Sequence, residues 1–340
     1  MSALESSFLH FLRWVCALLV VIGHVVLVGG GKQFVTYIGA HAHAAVIVFF
    51  VLSGYVIADS TYNKKLTQVN YKFVHYFIDR FSRSYAVLIP AILLTLILDF
   101  IGAFFFSARY SDSSLFPQTN QMIRFFVNLF SLQGIWGFRV QLGSNPALWS
   151  IGYEFIYYIV FGFFYFKPKR YKLYILFVLL IVGYKIIIYG FIWALGVILF
   201  RYKNISVTYF ISVPLFFAAN HIFQYQNYFG LNGYLNDFLF SLSVMLLISS
   251  KLTIPNFLGG ISSYLAEFSF SLYAYHMPIL YFCYSLTDSK SNLTVFLMVA
   301  LSVIMARLLY QISEKKRYTF KSFLTQRLSS NEKINQLLNI

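Results

Sequence analysis

FLRWVCALLVVIGHVVLV, residues 11–28, is apolar enough to span a bilayer, yet it carries Arg13 near its start and His24 deep inside. An ionisable group in hydrocarbon is expensive unless something around it compensates. The two residues stand 11 positions apart. On a helix that is close to three whole turns, so both side chains share one face about 16 Å apart along the axis. A shared face points to one polar cavity inside a bundle, and a neutral imidazole at that depth can act as a general base.

Composition sets this helix among others. The 340 residues are 59% hydrophobic and only 11% charged, against about 25% charged in an ordinary soluble domain. Mean hydropathy is +0.70. The fold class is an all-α integral membrane protein. The net charge of +15 does not imply nucleic-acid binding, because the cations fall between or just after apolar runs. They form clusters at Lys64–Lys72, Arg80–Arg83, KPKRYK (167–172), Arg201–Lys203 and EKKRYTFK (314–321), the pattern of cytoplasmic loops under the positive-inside rule. Cys16 and Cys283 lie in apolar segments with no metal-ligand spacing, so they read as buried free thiols. The N-terminal run reads as a span and not as a cleavable signal peptide, since its basic residue lies within the apolar run and no small-x-small site follows.

At roughly 17–25 residues per span, hydropathy marks ten candidates: 8–28, 41–59, 85–106, 147–166, 173–189, 190–200, 205–222, 235–250, 262–285 and 293–313. With both termini cytoplasmic, this count leaves only Lys32, Arg109, Arg124, Arg139 and Lys290 outside. The amphipathic stretch 121–136 is read as interfacial or re-entrant; letting it cross would move the later basic loops to the wrong side. The expected architecture is about ten helices in one bundle, with a transmembrane domain over 1–313 and a basic cytoplasmic tail over 314–340.

Further polar residues recur inside the spans. FFVLSG (49–54) places Ser53 and Gly54 mid-span, either for close helix packing or as a slot for substrate. His41 and His43 sit at the outer end of that span, where water reaches them. Arg80 and Arg83 share a helix face at the cytoplasmic surface, as anchors or as a guanidinium pair suited to phosphates. NPALWSIGYEFIYYIVF (145–161) buries Glu154. AEFSFSLYAYHMPILYF (266–282) puts Ser269, Tyr273 and His276 on one face. No HExxH, GxSxG, Walker or dinucleotide fingerprint is present.

These motifs, in this order, resemble the membrane acyltransferase-3 family over residues 8 to about 313. The resemblance rests on Arg13-x10-His24, FFVLSG, the DRFSR arginine pair, LWSIGYEF and FSFSLYAYHMP. It implies transfer of an acyl group, acetyl by preference, from cytoplasmic acetyl-CoA or another acyl-CoA to a hydroxyl of an extracytoplasmic glycan or lipid-linked saccharide such as O-antigen, capsule or exopolysaccharide, in the bacterial inner membrane and without a metal. It gives His24 the role of general base and lets Arg13 steady the donor. Arg80 and Arg83 would meet the donor's phosphates, with Ser53, Gly54 and Tyr273 as further donor-binding positions. Glu154 and His276 would hold acceptor or structure.

Family members often carry an acidic residue before the paired phenylalanines, where Ile47 and Val48 stand here. Many also carry a C-terminal extracytoplasmic hydrolase-like domain, for which this chain reads as too short. Action alone, as a homo-oligomer, or with a separate extracytoplasmic acyltransferase is expected instead. The rival reading is a transporter that uses intramembrane His, Glu and Arg, with Lys185 as the best-placed relay group; against it stands the lack of an internal repeat.

Overall fold

The computed structural model describes residues 3–28, 32–111, 116–117, 119–138, 140–224, 233–287 and 291–329. Arg139, Lys290, most of the 223–234 loop and the tail beyond residue 329 lie outside the described residues.

The longer elements are helices throughout. They are α1 (Ala3–Leu27), α2 (Gln33–Gly39), α3 (Ala42–Thr67), α4 (Phe73–Phe105), α5 (Ser107–Tyr110), α6 (Gln121–Leu129), α7 (Trp149–Phe166) and α8 (Tyr171–Val182), followed by α9 (Tyr184–Arg201), α10 (Tyr209–Gln224), α11 (Gly233–Ser249), α12 (Asn256–Ala266), α13 (Ser269–Ser285), α14 (Asn292–Ile312) and α15 (Arg317–Ser329). A helix satisfies its own backbone polar groups, which is why apolar sequence destined for lipid takes this form. Six helical stretches are long and apolar enough to cross a bilayer: 6–27, 33–67, 73–105, 146–166, 184–201 and 292–327. The chain is a multi-pass membrane protein.

The structure departs from the hydropathy boundaries where backbone chemistry, not polarity, ends a helix. The apolar run 173–200 breaks at Gly183 and not near residue 189. Gly183 takes φ +81°, and a Cβ there would lie 2.7 Å from the Trp136 Cα; glycine alone tolerates that combination. Lys185 therefore sits in the first turn of α9, not deep in a fifth span. The candidate span 262–285 is likewise two helices, separated around Glu267 and Phe268. Stretch 121–136 contains the nine-residue α6, then turns that run into a single 3-10 turn at Ile135–Gly137. At 1.5 Å per residue α6 rises about 14 Å, too little to cross. It exposes Met122, Ile123 and Phe126 while Asn128 is buried and bonded to the Arg124 and Val140 carbonyls.

The described residues form two compact units interleaved in sequence, residues 1–59 with 188–304, and residues 60–187 with 305–340. In the second unit α4 is central: α7, α6 and α15 pack on it. Its buried Asp99 accepts from the backbone N–H (2.9 Å) and hydroxyl (2.5 Å) of Ser144, which pins the turn leading into α7.

Asp79 of α4 receives Lys64 and Lys321, each at 2.5 Å, and the Tyr71 hydroxyl at 2.9 Å. Burial and the neighbouring carboxylate hold the Tyr71 phenol protonated, well above its ordinary range. This cluster clamps α15 to α4. Asp79→Asn should leave two lysines around a neutral amide and weaken the clamp by about 1–3 kcal/mol. The expected result is faster limited proteolysis between Ile312 and Arg317, and an unchanged cleavage rate would contradict the clamp.

Candidate active site

In the first unit α1 and the α12–α13 pair run in the same direction. Gly259 lies against Ser7, the Trp14 and Phe268 rings meet at 5.3 Å, and the Arg13 guanidinium donates to the Ser269 hydroxyl at 3.3 Å. Further along, His24 and His276 meet, with Nδ1 of His24 2.9 Å from Nε2 of His276 and ring centroids 4.9 Å apart. Both polar residues of the opening stretch are thus tied to one partner helix. Gly23 makes the approach of α2 and α3 possible: a Cβ there would lie 2.8 Å from the Gly39 carbonyl oxygen.

Two backbone carbonyls set the protons on the histidine pair. His276 Nδ1 lies 3.1 Å from the Leu272 carbonyl, so the nitrogen carries the proton and Nε2 is left as an acceptor. His24 Nδ1 lies 2.9 Å from the Val20 carbonyl and also faces that acceptor, so it is the donor to both. The remaining nitrogen, His24 Nε2, holds a lone pair and has no hydrogen-bond partner among the described residues. His276 is fully buried, whereas His24 is only partly so. The pair is therefore an imidazole with an open basic nitrogen, supported by a second imidazole behind it. Tyr273 lies beside His276, ring to ring at 5.9 Å, and Phe49 of FFVLSG meets Tyr273 at 5.9 Å.

Ser53 and Gly54 have a different surrounding. Ser53 accepts from the Trp193 indole at 3.1 Å. Gly54 is buried where α3 crosses α9, with the Gly196 Cα 3.3 Å from the position its Cβ would take and the Trp193 carbonyl closer still. The structure thus supports packing at these two positions.

Glu154, Arg80 and Arg83 belong to the second unit. Arg80 is 5% exposed, donates to Ser60 at 3.0 Å and lies over the Tyr76 ring. Arg83 feels the carboxylates of Glu314 and Glu154 but makes no hydrogen bond to a described residue.

Two features have no signal in the sequence. One is a cavity of about 280 Å³ in the first unit, lined by Phe8, Leu9, Tyr55, Lys203, Asn204 and Lys251 among others. Its lysines come from two different interhelical connections, so no local motif announces them. The other is Asp237, buried in α11 and bonded to His43; a lone aspartate near a span boundary gives no signal until its partner is known. Cys16 and Cys283 are free and buried. Among the described residues no group of three or more His, Cys, Asp or Glu is placed to hold a metal ion.

A family profile described as an acyltransferase domain matches residues 6–311. The chain belongs to the acyltransferase-3 family. That span takes in most of both units and both residues of the histidine pair. An O-acetyl transferase of Shigella phage Sf6 is 27% identical over 184 residues, which cover 54% of this chain and 53% of the relative; the match thus spans about half of that relative's length. No solved structure matches. In this acyltransferase-3 chain Arg13 and His24 lie on one helix, and each contacts α13.

Proposed function

We propose that this chain transfers an acyl group, acetyl by preference, from a cytoplasmic acyl-CoA to a hydroxyl of an extracytoplasmic glycan, in the inner membrane of a bacterium and with ten crossings and both termini inside. The observation that carries the proposal is the open Nε2 of His24, held in place by Val20 and His276. The acceptor O–H loses its proton to this nitrogen as its oxygen attacks the thioester carbonyl. The C–S bond breaks, and the departing thiolate takes the proton from His24, so that the products are ester and free coenzyme A. When His24 is transiently doubly protonated, its Nδ1–H donates to two acceptors already in place, the Val20 carbonyl and His276 Nε2. That arrangement needs no reorganisation during the step. Tyr273, whose ring lies 5.9 Å from that of His276, is assigned to contact the acyl group.

The cavity supports a cytoplasmic donor. Lys203 and Lys251 present cations suited to phosphates, and mainly aliphatic side chains, with Phe8 and Tyr55, line the remainder. From Leu9 at the cavity to His24 the helix rises about 22 Å, comparable to the roughly 20 Å reach of an extended pantetheine arm. Arg13 lies between the two levels and steadies the donor. Replacing both lysines with glutamate should raise the KM for acetyl-CoA at least three- to tenfold. Arg83→Ala is the matched comparison: a rise there, with none in the lysine variants, would return the phosphates to the Arg80–Arg83 pair.

The whole reading is tested by incubating purified protein in sealed proteoliposomes with labelled acetyl-CoA and lipid-linked saccharide. Label must move onto the saccharide; vectorial movement without transfer would favour a transporter.

A further inference from the structure

At the end of the first unit that holds the C-terminal part of α1, four helices converge on one buried carboxylate. Asp237 is 4% exposed. It takes the Tyr189 hydroxyl of α9 at 2.8 Å and Nε2 of His43, in the first turn of α3, at 3.0 and 3.2 Å. Phe223 of α10 stacks on the His43 ring at 5.7 Å and 22°. The imidazole is thereby fixed in position, rotation and tautomer. With Nε2–H given to the carboxylate, Nδ1 is a lone-pair acceptor. That nitrogen has no partner among the described residues, and the His43 side chain is 48% exposed. A buried carboxylate that holds a half-exposed imidazole and leaves its second nitrogen as an acceptor is a preorganised receptor for an O–H group.

This place is not remote from the histidine pair. Gly23, the residue before His24, lies directly against Ala42, the residue before His43. Two open imidazole nitrogens, His24 Nε2 and His43 Nδ1, are thus carried by touching helices, each fixed by a different buried partner. A molecule with several hydroxyls could engage both, one hydroxyl for chemistry and another for placement.

We propose that His43, set by Asp237 and Tyr189, is an acceptor subsite: its Nδ1 binds a non-reacting hydroxyl of a polyhydroxylated sugar. The assignment rests on the acyl-transfer reading above. His43 is here a specificity-determining contact, and Asp237 a positioning residue that acts through it.

The test measures binding, so that it stands apart from transfer. Full-length protein in phosphatidylcholine nanodiscs, which offer no polyol headgroup, is titrated with methyl glucoside, galactoside and mannoside by saturation-transfer NMR. Wild type and His24→Ala should both bind at least one glycoside saturably. His43→Ala and His43→Lys should each weaken that binding about three- to tenfold, the loss of one hydrogen bond. His43→Lys is the deciding variant, because its ammonium N–H still reaches Asp237 while no acceptor lone pair remains. Asp237→Asn should weaken binding through misplacement of the ring, with His43 itself intact. Wild-type affinity in His43→Lys would show that the contact only ties α3 to α11 and would overturn the proposal, as would the absence of saturable binding to any of the three glycosides in wild type. Acyl transfer by His24→Ala would instead sink the general-base reading and leave the subsite standing.

Discussion

His24→Ala is expected to lower acyl transfer by two to four orders of magnitude, the usual contribution of a positioned general base. Only one nitrogen of the histidine pair is open, so no neighbour can take over its proton. The alanine variant also strands the buried Nε2 of His276, and an unsatisfied buried acceptor costs about 1–3 kcal/mol. Loss of activity could then arise from loss of folded protein. His24→Asn separates the two effects: its amide can still donate toward the Val20 carbonyl and His276 but offers no base at the position of Nε2. Both variants should be inactive, with His24→Asn melting close to wild type. The measurement is single-turnover release of coenzyme A alongside a thermal melt in detergent. Wild-type turnover in a folded His24→Asn protein would remove His24 from the chemistry. His276→Ala should fall less, about tenfold, since it keeps the base and loses only its support.

Gly54→Leu is expected to have the largest effect on stability. A Cβ at residue 54 runs into the Trp193 carbonyl oxygen and lies 3.2 Å from that carbonyl carbon; a Cβ at Gly196 runs into the Val51 carbonyl and lies 2.7 Å from the Tyr55 nitrogen. These obstacles are backbone atoms and cannot rotate away. Overpacking of this kind costs about 1–3 kcal/mol or more, and small residues at helix crossings are what allow close contact in a membrane. α3 and α9 must separate, which also strains the Trp193–Ser53 bond. The melting temperature and folded yield should fall together with activity. A variant with a wild-type melt but no transfer would instead return Gly54 to the substrate, the other role considered for it.

How much of this was legible in residues alone differs from site to site. Arg13 and His24 share a face because helical pitch is a fixed number, and pitch needs no neighbours to be known. The same holds for Ser269, Tyr273 and His276. That the two faces meet, with His24 against His276 and Arg13 against Ser269, depends on a pairing across some 250 positions of sequence, and periodicity within one helix carries nothing about its partner. Asp237 shows the same limit more sharply. Singly it reads as a boundary aspartate; against His43 and Tyr189 it becomes the anchor of a fixed imidazole. The break at Gly183 was hidden for another reason: hydropathy sums side chains, whereas that helix ends through a positive φ and a close backbone contact.

The sequence by itself determined that this protein is a helical membrane protein of the acyltransferase-3 family, because composition, charge placement and motif order act locally and survive without coordinates. Which imidazole nitrogens are open, which glycine separates two helices and which lysines share a cavity were decided only by the tertiary structure. Each of those properties belongs to a pair of groups brought within hydrogen-bond or van der Waals distance, and distance between remote residues exists only once the chain has folded.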